Sequence, residues 1–220
     1  MIVLLNGPYW FRGADVFFGL IYILVTLMIA ALSYKAYKLT EEKKYSYFSI
    51  AFLFLGISYL IYSVTNGILI THVSGMLNNV LNSFDYAFLI YMFLTFVAYI
   101  ILLIITLKIE QKKVMLLLFA LAFLFMLFSY QHYLKFHLVS FIFLFFLTHQ
   151  FYTNYLEKKN RNAKLVFTAF YLLTCAQIFF IAITYSLLFY VLAASLQLVG
   201  FMLLAYMFMR INYGRTKGEA

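Results

Sequence analysis

Leu116-Leu117-Leu118-Phe119-Ala120-Leu121-Ala122-Phe123 is an apolar run with no alternation in it. A strand of a membrane barrel alternates lipid-facing apolar and lumen-facing polar residues with period two. A continuous apolar run is helix material, because a helix satisfies its own backbone hydrogen bonds in lipid. Similar runs fill the chain. Hydrophobic residues are 66% of its 220 and charged residues only 10%, with a mean hydropathy of +0.97. Soluble domains are about 45–50% apolar and about 25% charged. Too few polar groups exist to cover an outside facing water, so the outside must be lipid. A soluble enzyme, a soluble DNA-binding domain and a disordered tail are excluded together.

A membrane helix needs about 20 mostly apolar residues. Seven segments meet or approach that length, near residues 14–38, 45–71, 84–109, 113–130, 137–157, 164–184 and 187–211. The fourth is the shortest. The sixth and seventh are nearly continuous; as one helix they would run about 70 Å at 1.5 Å per residue. That is more than twice a bilayer core, so a turn is expected at Thr184-Tyr185-Ser186. The only proline, Pro8, precedes the first helix. No proline interrupts any span, and straight helices are expected.

The net charge of +9 would suggest nucleic acid in a soluble protein. Here its distribution says otherwise. Fourteen of the 16 lysines and arginines fall in the 1–2, 3–4 and 5–6 connections and the carboxyl-terminal tail; only Arg12 and Lys135 fall on the other side. Cytoplasmic loops collect such an excess. The expected topology is an exported amino end and a cytoplasmic carboxyl end, which also requires an odd number of spans. The start lacks a basic region and a small-residue cleavage site, so the first helix is expected to be an anchor rather than a cleaved signal. Tyr9, Trp10, Tyr130, Tyr133, Tyr185 and Tyr190 fall near the outer interface. Tyr34, Tyr37, Tyr45, Tyr47, Tyr152, Tyr155 and Tyr213 fall near the inner one, as an aromatic belt would place them.

The end of the first helix, Tyr34-Lys-Ala-Tyr37, and the end of the fifth, Tyr152-Thr-Asn-Tyr155, each precede a basic connection. A parallel three-plus-one-plus-three repeat, of a kind found in transporters, has this form. Two inner loops sharing belt tyrosines and lysines give it without a repeat.

Polar residues inside apolar spans should face the bundle interior. Asn66, His149, Gln150, Gln177 and Gln197 are such residues. Thr174, Gln177 and Thr184 share a helix face, as do Ala193, Gln197 and Gly200. Asp15 and Asp85 fall near the outer ends of helices 1 and 3. Asp85 reads as a first-turn cap or as part of an outward-facing ligand site. The functional expectation is a small polar cavity among helices 2, 3, 5, 6 and 7, with Asn66, Asp85, His149, Gln177 and Gln197 as ligand-binding candidates. The bland alternative is interhelical hydrogen bonding alone. Gly56, Ser63 and Gly67 mark close helix packing.

No catalytic role, cofactor or metal is expected. No G-x-S-x-G or H-E-x-x-H motif and no phosphate loop occurs. The single cysteine, Cys175, excludes a dithiol motif. His132 and His137 are spaced too awkwardly on a helix to share a metal. No lysine lies in the seventh span for a retinal Schiff base.

The stretch Ala36-Tyr-Lys-Leu-Thr-Glu-Glu-Lys-Lys-Tyr45, followed by an apolar helix, resembles the first inner loop of the seven-helix sensor modules of prokaryotic histidine kinases. That resemblance implies a sensor working with a separate kinase. The three-plus-one-plus-three arrangement is similar to SWEET and PQ-loop transporters, whose helix prolines have no counterpart here. The expected protein is an all-α, polytopic, seven-helix bundle forming one transmembrane domain over 1–220 in the cell membrane. Its expected role is ligand sensing, signalling or scaffolding. Small-solute transport and a membrane-embedded enzyme without a recognisable motif are the alternatives. Expected partners are membrane lipids, a cytoplasmic signalling protein, a small polar ligand from outside and possible homo-oligomer copies, but no nucleic acid.

Overall fold

A computed structural model describes the backbone of residues 8–72, 77–127 and 132–216, with side chains described chiefly within 16–68, 86–124 and 133–211. Seven helices result: α1 (Arg12–Thr40), α2 (Lys43–His72), α3 (Leu77–Thr106), α4 (Lys112–Leu127), α5 (His132–Lys158), α6 (Arg161–Ile181) and α7 (Leu188–Thr216). Among the described residues six of them, all but α4, are long and apolar enough to cross a membrane. The chain is therefore an integral, multi-pass membrane protein.

The helix ends have identifiable causes. Glu41, Lys108 and Lys159 adopt the left-handed conformation, with φ of 54°, 53° and 47°. Each closes a helix whose last carbonyls would otherwise lack donors. Glu41 N–H donates to Tyr37 O and Lys159 N–H to Tyr155 O, both at 2.8 Å. Asn160 then caps α6, its side chain accepting from Ala163 N–H at 2.7 Å. The expected break between α6 and α7 is a 3-10 turn over Ala182–Thr184. After it, Ser186 Oγ accepts from Leu188 N–H at 3.3 Å. Helix α3 begins at Leu77, earlier than the apolar run suggests. Residue 85 thus lies beyond the first turn, and the capping reading of Asp85 is corrected.

Six helices close a ring in the order α1, α2, α3, α5, α6, α7, with α7 returning to α1. Helix α4 packs outside it, on α3. Neighbours α1–α2, α2–α3, α5–α6 and α6–α7 run antiparallel. The two junctions are parallel: Phe88 and Phe96 of α3 meet Phe136 and Phe143 of α5 in the same order, and Phe11, just before α1, and Tyr22 within it meet Tyr190 and Phe201 of α7 likewise. Helices α3 and α5 therefore point the same way. The chain must travel the length of the bundle between Lys108 at one end and Tyr133 at the other.

The ring divides into two units, α1–α3 and α5–α7, and many of their buried positions coincide. Tyr22, Thr26, Ile29 and Ala30 of α1 lie 118 positions before Ser140, Leu144, Leu147 and Thr148 of α5, and all eight are buried. Ala51, Phe52, Leu55, Ser58 and Tyr59 of α2 lie 118 positions before Ala169, Phe170, Leu173, Ala176 and Gln177 of α6, again all buried. Glu41 and Lys159, the left-handed caps, keep that interval. Met92, Thr95, Tyr99 and Leu102 of α3 match Ala194, Gln197, Phe201 and Leu204 of α7 at an interval of 102. Helices pack more extensively within each unit than across the two junctions.

Small residues set the closest approaches, as in other membrane bundles. A Cβ added at Gly56 would lie 2.8 Å from Leu27 Cδ2, and one at Gly19 would collide with Ser63 Oγ. One at Gly67 would meet nothing within 4 Å, so Gly67 does not belong to that packing face.

Candidate functional site

A buried tyrosine brings an apolar ring and a hydroxyl that needs a partner. Seven tyrosines, Tyr22, Tyr59, Tyr62, Tyr91, Tyr99, Tyr133 and Tyr190, converge on one cavity of about 50 Å³. Phe88, Phe136, His137, Gln177, Phe180, Ala194 and Gln197 complete its wall. All six ring helices contribute. The cavity lies in the half of the bundle away from the lysine-rich end, on the interface between the two units.

The hydroxyls and amides bond across helices. Tyr22 Oη donates to Ala194 O at 2.7 Å, joining α1 to α7. Gln197 Nε2 donates to Tyr59 Oη at 2.8 Å, joining α7 to α2. Tyr62 Oη and Tyr190 Oη lie 3.2 Å apart, again between α2 and α7. His137 Nδ1–H donates to Gln177 Oε1 at 2.8 Å, which in a neutral ring leaves Nε2 as the acceptor nitrogen. The imidazole is also sandwiched by rings, 4.5 Å from Phe180 and 4.4 Å from Tyr133 between centroids. Three of these four bonds connect one three-helix unit to the other.

Below the cage the core is mostly apolar. Phe52, Phe170, Phe201, Leu102, Leu147 and Leu204 are each almost completely buried and form a floor between the cage and the lysine-rich end. Polar side chains are few there: Thr148 and Thr174, 2.8 Å apart, and the buried hydroxyls of Thr26, Ser33 and Ser140. Thr174 already donates to Phe170 O at 2.8 Å, so Thr148 is the donor of that pair.

The structure separates the five sequence candidates. Gln177 and Gln197 are buried and line the cage. Asn66 is buried one turn beyond Tyr62 on α2 but is not part of the cage wall. The side chains of Asp85 and of Asp15 lie outside the described residues. His149, expected to face inward, is exposed on the outer surface of α5, and that expectation is corrected. The inward stripe of α5 runs through Phe136, His137, Ser140, Leu144, Leu147 and Thr148. Position 149 is rotated about 100° from Thr148 at 3.6 residues per turn. The interior histidine is His137. Thr184, expected to share the face of Thr174 and Gln177, is exposed. Tyr133 and Tyr190, expected in the outer aromatic belt, line the cage instead, whereas Tyr185 remains on the surface.

Sequence reading missed the tyrosines at mid-span. The available signal was depth: Tyr59, Tyr91 and Tyr99 stand well inside apolar runs, where a belt residue has no reason to be. Among the described residues no group of His, Cys, Asp and Glu is gathered to hold a metal. Scans of family models, curated proteins and solved structures match nothing to this chain.

Proposed function

We propose that the chain is a ligand-sensing membrane module. A small uncharged molecule enters from the face opposite the lysines, occupies the tyrosine cage, and shifts the two three-helix units relative to one another. The lysine-rich end faces the cytoplasm, as the excess of positive charge there favours, and passes the shift to a separate signalling partner.

The observation that carries this reading is the position and size of the cage. It lies between the units, and three of its hydrogen bonds tie one to the other. Its volume of about 50 Å³ suits a few waters and falls far below the roughly 300 Å³ of a small-molecule pocket. A ligand must therefore break Gln197–Tyr59 or Tyr62–Tyr190 and part the units as it enters. Such a ligand binds the parted state better, which is what a population shift requires. The described lining carries two amides, an imidazole and phenol hydroxyls, with no carboxylate or ammonium. A charged ligand would be left uncompensated in that setting, so a neutral molecule with an apolar face and a few hydrogen-bonding groups fits.

One feature favours small-solute transport as a second reading. Two units in matching register, with a closed cage at one end of their interface and an open cleft at the other, resemble the halves of a rocking carrier. The apolar floor favours sensing, which needs no path through it.

The test begins with a thermal-shift screen of neutral solutes on the full chain in nanodiscs, with Cys175→Ser as background. Probe pairs at Tyr47→Cys and Tyr152→Cys then report the separation of the units. A hit that raises Tm, changes the pair distance, loses both effects in Gln197→Leu and gives no flux in proteoliposomes supports sensing. Flux of the same solute establishes transport in its place. A hit that leaves the pair distance unchanged sinks both.

A further inference from the structure

We propose that the cleft at the lysine-rich end is a specific site for the phosphodiester headgroup of an anionic phospholipid. The cleft has a volume of about 810 Å³, within the range of ligand pockets, and is independent of what the tyrosine cage binds. It lies where α3, α5 and α7 end and α2 and α6 begin. Three lysines line it from three separate parts of the chain: Lys44 at the start of α2, Lys108 after α3 and Lys158 at the end of α5. One carboxylate, Glu157, accompanies them. Lys44 is ion-paired with the exposed Glu42, so Lys108 and Lys158 carry the argument.

Lys108 is held in place by its backbone. Ile109 N–H donates to Ile104 O at 2.9 Å and Lys108 N–H to Ile105 O at 3.3 Å, the two bonds of a Schellman closure. That closure puts its residue in the left-handed region, φ 53° here, where glycine is the usual and unstrained choice. A lysine stands there instead, on the wall of the cleft.

Two further features select a phospholipid over a soluble anion. The cleft includes the start of α6, whose dipole favours an anion, and beside it Asn162 Oδ1 is buried without a hydrogen-bond partner. That acceptor suits the donor hydroxyls of a glycerol-type headgroup, not the phosphate oxygens. Phe48, Phe208 and Ile211 supply an apolar wall, which matches acyl chains and offers nothing to inorganic phosphate. The lysine belt lies at the end of the spans, where headgroups stand.

The test uses the full chain in phosphatidylcholine nanodiscs titrated with fluorescent phosphatidylglycerol. Wild-type protein is expected to retain one phosphatidylglycerol at least tenfold better than phosphatidylcholine. Lys108→Gln with Lys158→Gln should lose that preference, while Lys112→Gln with Lys113→Gln, an equal change of charge outside the cleft wall, should keep it. Unchanged thermal unfolding of both double variants in phosphatidylcholine shows that they fold. Equal losses in the two variants would overturn the proposal in favour of diffuse attraction. Displacement of the lipid by equimolar glycerol phosphate or inorganic phosphate would overturn it in favour of a soluble anion.

Discussion

The Gln197 side-chain amide donates to the Tyr59 hydroxyl at 2.8 Å, so a single hydrogen bond runs from the last helix of the ring to the second. Both groups are buried. Removing only the acceptor, as in Tyr59→Phe, strands an amide donor in the core. Interhelical hydrogen bonds in membranes are worth about 0.6 to 1.7 kcal/mol, and an orphaned donor adds to that. Tyr59→Phe should therefore cost about 1–2 kcal/mol in a denaturant titration in bicelles. Adding Gln197→Leu should recover part of the loss, giving a non-additive cycle.

His137 and His149 should differ sharply. His137→Ala removes a buried ring together with its bond to Gln177 and its contact with Phe180, and should lower stability by about 2–4 kcal/mol, in the range of other large-to-small core changes. His149→Ala, on the lipid-facing surface, should change it by no more than about 0.5 kcal/mol. Equal effects in thermal unfolding would contradict the placement of α5.

Helix contacts predict an ordered series of glycine substitutions. A Cβ at Gly200 would sit 3.1 Å from Ala169 O, a backbone atom that moves only with its helix. Gly200→Val should cost roughly 1–3 kcal/mol through overpacking. Gly67→Ala, with open space around the new methyl, should be neutral or stabilise by up to about 1 kcal/mol through helix propensity. Parallel melting curves decide between the two.

The left-handed caps predict gains. A residue with a Cβ in that conformation costs roughly 1–2 kcal/mol relative to glycine. Glu41→Gly and Lys159→Gly should each raise stability by about 0.5–1 kcal/mol, the remainder being lost to the freer unfolded chain. Because Glu41 and Lys159 close matching helices, their effects should be alike in size despite opposite charge. A large difference in unfolding midpoint would show that charge, not backbone geometry, governs them.

Much of this was legible in the sequence, because membrane helices announce themselves by length and hydropathy. The break after α6 was readable because no bilayer accommodates a helix of that length. The lysine-rich connections were readable because lysine is costly in lipid. Facing was harder. His149 and Thr148 are adjacent and both polar, and only packing decides which points inward; on α5 the stripe runs through His137 and Thr148. The repeat was half visible in Tyr37 and Tyr155. What the structure adds is a likeness in burial, since Tyr59 and Gln177 occupy corresponding buried places with unrelated side chains. The cage escaped notice because tyrosine at a span's edge and tyrosine at its centre look alike in a composition.

Helix α4 packs chiefly on α3 and, at 16 described residues, is the shortest of the seven, yet it lies on the stretch that carries the chain from one end of the bundle to the other. Had the chain between Lys108 and Tyr133 stayed at one end, α5–α7 would enter the bilayer inverted. Lys158, Lys159 and Arg161 would then move to the leaflet opposite Lys43 and Lys44, and His137 would be stranded far from Tyr91. The peripheral helix thus stands between two units whose relative orientation depends on the stretch it belongs to. A charge placed at its centre, as in Ala120→Arg, would act on the orientation of the second unit during synthesis, leaving the first correctly threaded and without its other half.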